Sequence, residues 1–478
     1  MKHRVPTRIA AIALAGGLLG ATVACAQEPA AEGGPVTITL SGPNQWNSDP
    51  STFGPAWEDL IARFEEREPN ITVETTVLPL TEFKQTLATQ LAAGTAPELI
   101  FSQASHTPEQ ITALDEYLDA PNPYVEGNER WLDLFNQDYF GPDATAARNV
   151  ANNYEFIPFN LYIFGLYYNQ DAFADAGIDA APETFGEFID ACGDLKKAGY
   201  TPLAYDNSWL AQNSTLKPII SMLLTKYFDD LNQFKPDGTP GSSTQVSKKD
   251  FSRAILTGEL TTDTPEVAEA LELAKEVVDE CATENWSGVT SSGAAFTGGQ
   301  EFLAGDAAMA FGANFSANNL ADVEWEWSTM PFPTVSKKDS MLSSGAPARL
   351  GATVGGSSYM IPSYVEGPQL EAAIKFLQFI TSPEGAQPWL DGTGGIPSLA
   401  DAEPAPGLEG LTSGEWALSP SVPDPQFVPR ALAGQSIYTG YFTGSKSLDD
   451  QLAEMQQQWI ETAKENSVDG GWTEDWAK

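Results

Sequence analysis

The sequence predicts an α/β protein of two lobes. Strands alternate with amphipathic helices from Val36 to Phe101, and the same alternation recurs from Ile163 to Tyr205. The chain is also long enough for two or three domains, with a hydrophobic fraction of 42% to fill their cores. Val36–Leu40 alternates as a strand, and Trp57, Leu60, Ile61 and Phe64 fall at i, i+3, i+4 and i+7 of the helix behind it. Ile71–Leu78 reads as a second strand, Glu82–Ala93 as a helix closed near Gly94, and Glu98–Phe101 as a short buried third strand. Ile163–Tyr168 and Thr201–Tyr205 are strands around the helix Thr184–Ala198, so each lobe is expected to hold a mostly parallel sheet with helices on both faces. Pro265–Glu280 and Leu370–Ile380 place their apolar residues on one face and are core-facing helices. The Gly-, Ser- and Pro-rich passages Lys235–Ser247, Gly288–Gly299 and Ser336–Ala348 read as loops within one fold.

Ahead of these elements, Ile9–Ala24 is an apolar run behind Lys2, Arg4 and Arg8, and it ends in small residues at Cys25. It is too short to span a bilayer comfortably and gives way at once to the polar stretch Gln27–Pro35. Residues 1–24 therefore read as an export signal peptide and 25–35 as a linker. Thr22-Val23-Ala24-Cys25 resembles the bacterial lipoprotein signal, which implies a lipid-anchored chain on the outer face of the cell membrane, with Cys25 as the lipidation site. The alternative is an ordinary secreted protein cleaved after Ala24 or Ala26.

With 65 acidic against 25 basic residues the formal net charge is −40, so repulsion disfavours nucleic acid and anionic lipid surfaces as partners, and no nucleic acid is expected. His3 and His106 are the only histidines, and no metal site or cofactor is expected. Beyond Cys25 only Cys192 and Cys281 remain, and two cysteines in an exported chain can form one disulfide if the fold brings them together. A bridge is expected, with a pair of buried thiols as the alternative.

Gly165–Gly199, GLYYNQDAFADAGIDAAPETFGEFIDACGDLKKAG, strongly resembles the strand-loop-helix signature of the extracellular solute-binding proteins of bacterial ABC importers, in the carbohydrate-binding cluster that includes the maltose-type receptors. Phe302–Met309, Pro331-Phe-Pro333, Gly355–Ile361, Glu371–Gly385 and Gly394–Ser398 agree with the family's segments in order. The resemblance implies a type II periplasmic-binding-protein fold with discontinuous lobes. Residues 36–159 plus about 352–400 would form the N-terminal lobe, and about 160–351 plus about 401–478 the C-terminal lobe. The crossings are expected near Pro158–Ile163, near Met330–Ala352 and after about Ala400. It further implies a monomer that closes on a small solute in the cleft between the lobes and delivers it to membrane permease subunits.

Open α/β lobes bind beyond the carboxyl ends of their strands, so the candidate ligand residues lie in strand-end loops. After the first strand come Gln45, Trp46, Asn47 and Asp49, and after the third Gln103 and Ser105, with His106 beside them as a hydrogen-bonding residue. Asn160 and Tyr162 stand at the first crossing, and Asp206, Asn207 and Trp209 follow the strand ending at Tyr205. Asn314 and Phe315 occupy the position where maltose-type receptors have a tryptophan platform, and Gly355, Gly356 and Ser357 offer a backbone that a ligand can approach. Aromatic rings with planar amides suit a sugar, which has an apolar CH face and polar edges. These loops hold no Arg or Lys, which favours a neutral solute, while Asp49 and Asp206 leave a cationic solute as an alternative. A secreted glycan hydrolase using the same two carboxylates is a weaker alternative, and no nucleophile elbow or metal cluster supports an enzyme.

Overall fold

The computed structural model describes residues 34–44, 51–79, 82–142, 147–149, 153–235, 238–290, 295–412, 414–425 and 428–478; the side chains of 355–357 fall outside that description. The leader, Cys25, Gln45, Trp46, Asn47 and Asp49 likewise lie outside it.

Ten strands are present among the described residues: β1 (Val36–Pro43), β2 (Ile71–Leu78), β3 (Leu99–Phe101), β4 (Ile157–Tyr162), β5 (Phe164–Asn169), β6 (Thr201–Ala204), β7 (Ala307–Ala313), β8 (Trp327–Met330), β9 (Thr353–Met360) and β10 (Ile396–Pro397). They build two sheets, a six-stranded one in the order β10-β4-β9-β3-β1-β2 and a four-stranded one in the order β6-β7-β5-β8. Both sheets are mixed, which corrects the expectation of mostly parallel ones. Only β1/β2, β1/β3 and β6/β7 run parallel, and the other five ladders are antiparallel. The reason lies in the connections. A β-α-β unit returns a strand parallel to its neighbour, as between β1, β2 and β3, and β4 keeps that direction, whereas β9 joins the sheet as the chain comes back from the smaller one and enters reversed between β3 and β4.

The chain changes sheets at Ile163, between β4 and β5, and again between β8 and β9, and after β10 it returns to the side of the smaller sheet. Each sheet has its own core. One is built from residues of 38–159 and 359–399 around Trp57, Phe101, Tyr359 and Trp389, and the other from residues of 161–354, Ile396 and 405–463 around Tyr167, Tyr205 and Phe311.

The helices follow their sequence signals. Pro55–Arg67 buries Trp57, Leu60 and Phe64, with Pro55 at its first turn, where a missing N–H costs nothing. Phe185–Ala198 starts on the Thr184/Glu187 capping box and ends at Gly199, whose φ of 97° is open to glycine at no steric cost. Its Cys192 is joined by a disulfide to Cys281 at the end of the helix Pro265–Cys281, with the Cα atoms 5.3 Å apart and both residues fully buried. No helix among the described residues is long and apolar enough to cross a membrane.

Candidate functional site

β6 runs out through Tyr205 into Asp206-Asn207-Ser208, and the Ser208 hydroxyl accepts from the Ala211 N–H at 3.1 Å to start the helix Trp209–Leu224. One face of this helix, carrying Trp209, Leu210, Asn213, Ser214 and Lys217, forms a wall of a cavity of about 190 Å³. Pro218 inside the helix has no N–H to give the Ser214 carbonyl, so that oxygen is deprived of its helical donor beside the cavity.

The facing wall comes from the places where the chain changes sheets. Tyr162 arrives from the end of β4, Phe164 and Gly165 from the start of β5, and Leu350, Gly351 and Thr353 from the approach to β9, while Phe311 and Trp416 close the floor. Trp416 knits these pieces together. Its indole Nε1 donates to the Phe164 carbonyl at 3.0 Å, and its own carbonyl accepts from the Leu350 and Gly351 N–H groups at 2.9 and 3.2 Å. The cavity thus lies at the junction of the two sheets, with five aromatic side chains and a few amide, hydroxyl and ammonium groups around it. Such a lining takes a small molecule with an apolar face and polar edges.

Of the residues singled out from the sequence, Trp209 and Tyr162 line this cavity, and both are half-buried. Phe315 stands beside it, 36% exposed, with its ring centroid 5.9 Å from that of Tyr162. Other candidates serve the fold. Asp206 is fully buried, and its two oxygens accept from the Ser208 and Gly298 N–H groups at 2.9 and 3.0 Å, so it shapes the loop and presents no oxygen to a solute. The Asn207 side chain accepts from Gln212 and Thr439. Asn160 accepts from the Ile396 N–H at 2.7 Å and so holds β10 to β4. Asn314 is fully buried between the Ile163 N–H and the Gly394 carbonyl, tying one crossing to the loop before β10. Gln103 and Ser105 do not line the cavity. Gly355, Gly356 and Ser357 lie in β9, with Ser357 opposite Asn160.

The sequence reading missed the rest of the lining, including Phe164, Asn213, Ser214, Lys217, Gly351 and Trp416. Trp209, Asn213 and Lys217 do recur every four residues, a signal for a shared helix face, but the internal Pro218 obscures the helix.

His106 has an acceptor at each ring nitrogen: the Ala104 carbonyl 2.7 Å from Nδ1 and Glu155 Oε1 2.9 Å from Nε2. A neutral imidazole has one N–H, so only the imidazolium satisfies both. The hydrogen bond to Glu155 raises the pKa of His106 against the burial that would lower it. Burial alone would lift Glu155, yet hydrogen bonds from His106 and Asn149 hold it below the ordinary value. A histidine raised in this way adds stability that is complete below its unfolded pKa and disappears as the pH climbs through the folded one. The melting temperature is therefore expected to fall, as the pH is taken upward from 6.5, more steeply than that of a His106→Gln variant. Parallel pH profiles for the two proteins would rule the coupling out.

A family model described as bacterial extracellular solute-binding protein matches residues 47–387. The sn-glycerol-3-phosphate-binding periplasmic protein UgpB of Salmonella typhimurium is 25% identical over 366 residues, which are 74% of this chain and 73% of that one. Among solved structures, the apo form of RafE from Streptococcus pneumoniae superposes with a TM-score of 0.60 at 16% identity, covering 90% of this chain and 98% of that one. A chitin oligosaccharide binding protein does so with a TM-score of 0.56 at 18% identity, covering 90% and 99%. These likenesses give the fold of type II solute-binding proteins.

Proposed function

Because this chain belongs to the family of bacterial extracellular solute-binding proteins, we propose that it captures a sugar or closely related polyol in the cavity at Trp209 and delivers it to the membrane subunits of an ABC importer. The observation that carries this reading is the aromatic-walled cavity formed where the chain changes sheets. A solute held there touches both sheets, so binding favours an arrangement in which the two halves close on it. We take the halves to be two lobes, residues 36–159 with about 352–400 and the remainder, and each has a separate core in support. The relatives bear names that point to polyhydroxylated solutes, sn-glycerol-3-phosphate for one and chitin oligosaccharide for another.

The proposal includes export by the leader, lipid anchoring at Cys25 and action as a monomer. Two alternatives lose ground. A cage for cations would not place Lys217 in its wall, and a glycan hydrolase needing Asp206 as acid or base would find that carboxylate buried and engaged.

A thermal-shift and calorimetric screen of the mature chain against mono- and oligosaccharides, with polyamines and betaines as controls, tests the reading, because a ligand that binds the folded state raises its melting temperature. A saturable sugar response is expected, and the absence of saturable binding to any carbohydrate would overturn it. Trp209→Ala is expected to weaken the responding sugar by about tenfold or more, the loss typical of an aromatic anchor, while the half-buried position spares the fold. Unchanged affinity in titration calorimetry would remove Trp209 from the site.

A further inference from the structure

Among the described residues one charged side chain lines the cavity at Trp209, and in a chain with 65 acidic and 25 basic residues it is a lysine, Lys217. It is half-buried, and among the described residues it has no hydrogen-bond or ion-pair partner. No described carboxylate lines that cavity. On its other side Lys217 borders a second cavity of about 500 Å³, whose walls carry Asp424, Glu465 and Asp469 together with Lys248 and Arg430. Asp469 is ion-paired to Arg430, Glu465 accepts from the Arg430 N–H, and none of the three carboxylates comes within ion-pair distance of Lys217.

An ammonium without a partner at the edge of an apolar, aromatic wall leaves its charge available to attract an anion entering the cavity. Lysine suits this task as a point charge on a long stem whose methylenes can lie along the apolar wall. The neighbouring Ser214 places a neutral hydroxyl on the same helix face, while the Asn213 amide beside it donates to the Trp209 carbonyl at 2.9 Å.

We propose that the solute of this cavity bears an anionic group, a carboxylate or a phosphate, which the Lys217 ammonium holds while the aromatic wall takes the apolar face of the same molecule. The proposal rests on the solute-binding reading above and narrows its substrate class from neutral sugars to acidic sugars or polyols. It also reverses the expectation of a neutral solute, which came from strand-end loops without cations; Lys217 lies two helical turns beyond its loop.

Titration calorimetry with two matched pairs, galactose against galacturonate and glucose against glucose 6-phosphate, tests it on the full mature chain. At least one acidic member is expected to bind tenfold or more tightly than its neutral partner, with an affinity that falls as sodium chloride is added. Lys217→Gln is expected to erase that ratio and Lys217→Arg to keep most of it, with unliganded melting temperatures unchanged in both. Equal binding of neutral and acidic partners, or a ratio that survives Lys217→Gln, would overturn the anionic assignment and leave the receptor reading standing. If neither these four compounds nor the carbohydrate screen gives saturable binding, both readings fall together.

Discussion

Replacing Cys192 and Cys281 together by alanine is expected to lower the unfolding free energy by about 4 kcal/mol, the loop-closure entropy released when a crosslink across a loop of this size is removed. The bridge spans 89 residues and joins two helices that pack on the smaller sheet, so the unfolded chain gains most from its loss. Both positions are fully buried in that sheet's core, and alanine fits there without a stranded polar group. Urea denaturation with and without a reductant measures the effect. The midpoint should drop in the double variant and in the reduced native protein alike, and an unchanged midpoint in both would show that the crosslink does not limit the unfolded ensemble.

Trp416→Ala should cost about 3 to 5 kcal/mol, the usual range for deleting a buried indole. Trp416 is only 3% exposed, and the change would leave the Phe164 carbonyl without its 3.0 Å donor in the floor of the cavity. Trp416→Phe separates the two effects, since it keeps much of the packing and removes the N–H alone, for about 1 to 2 kcal/mol. Solute affinity should fall in both variants, because the indole anchors the segment that brings Leu350 and Gly351 to the wall. Full affinity in a folded Trp416→Ala protein would show that the floor does not shape the site.

The elements were legible where local signals are strong. The spacing of Trp57, Leu60 and Phe64, the Thr184 cap and the glycine stops at Gly94 and Gly199 all sit on the elements they predict. Strand direction was not legible, because β4 and β9 find their partners across almost two hundred residues and no local pattern encodes an antiparallel entry. The lining of the candidate cavity was only partly legible for the same reason. Trp209 and Tyr162 stand next to recognisable strand ends, whereas Trp416 and Gly351 reach the cavity only through a tertiary hydrogen bond. Amides and carboxylates were the weakest guides. Asn160, Asn314, Asp206 and Asn207 have the chemistry of ligand contacts, yet each satisfies a backbone or side-chain partner where segments meet, a use that composition cannot distinguish from recognition.

The order of strands in the larger sheet bears on how the polypeptide acquires its shape over time. β9 and β10, the neighbours of β4 among the described residues, emerge from the ribosome long after it, and β3 also waits for β9 to cover its open edge. Until residue 360 has been made, the early segments can form only a partial sheet with two unpaired margins, and loop closure over such distances is slow. The larger sheet is thus closed only by the last third of the chain, whereas the four strands of the smaller one are all available by residue 330, so the half that begins first is the half that can be finished last.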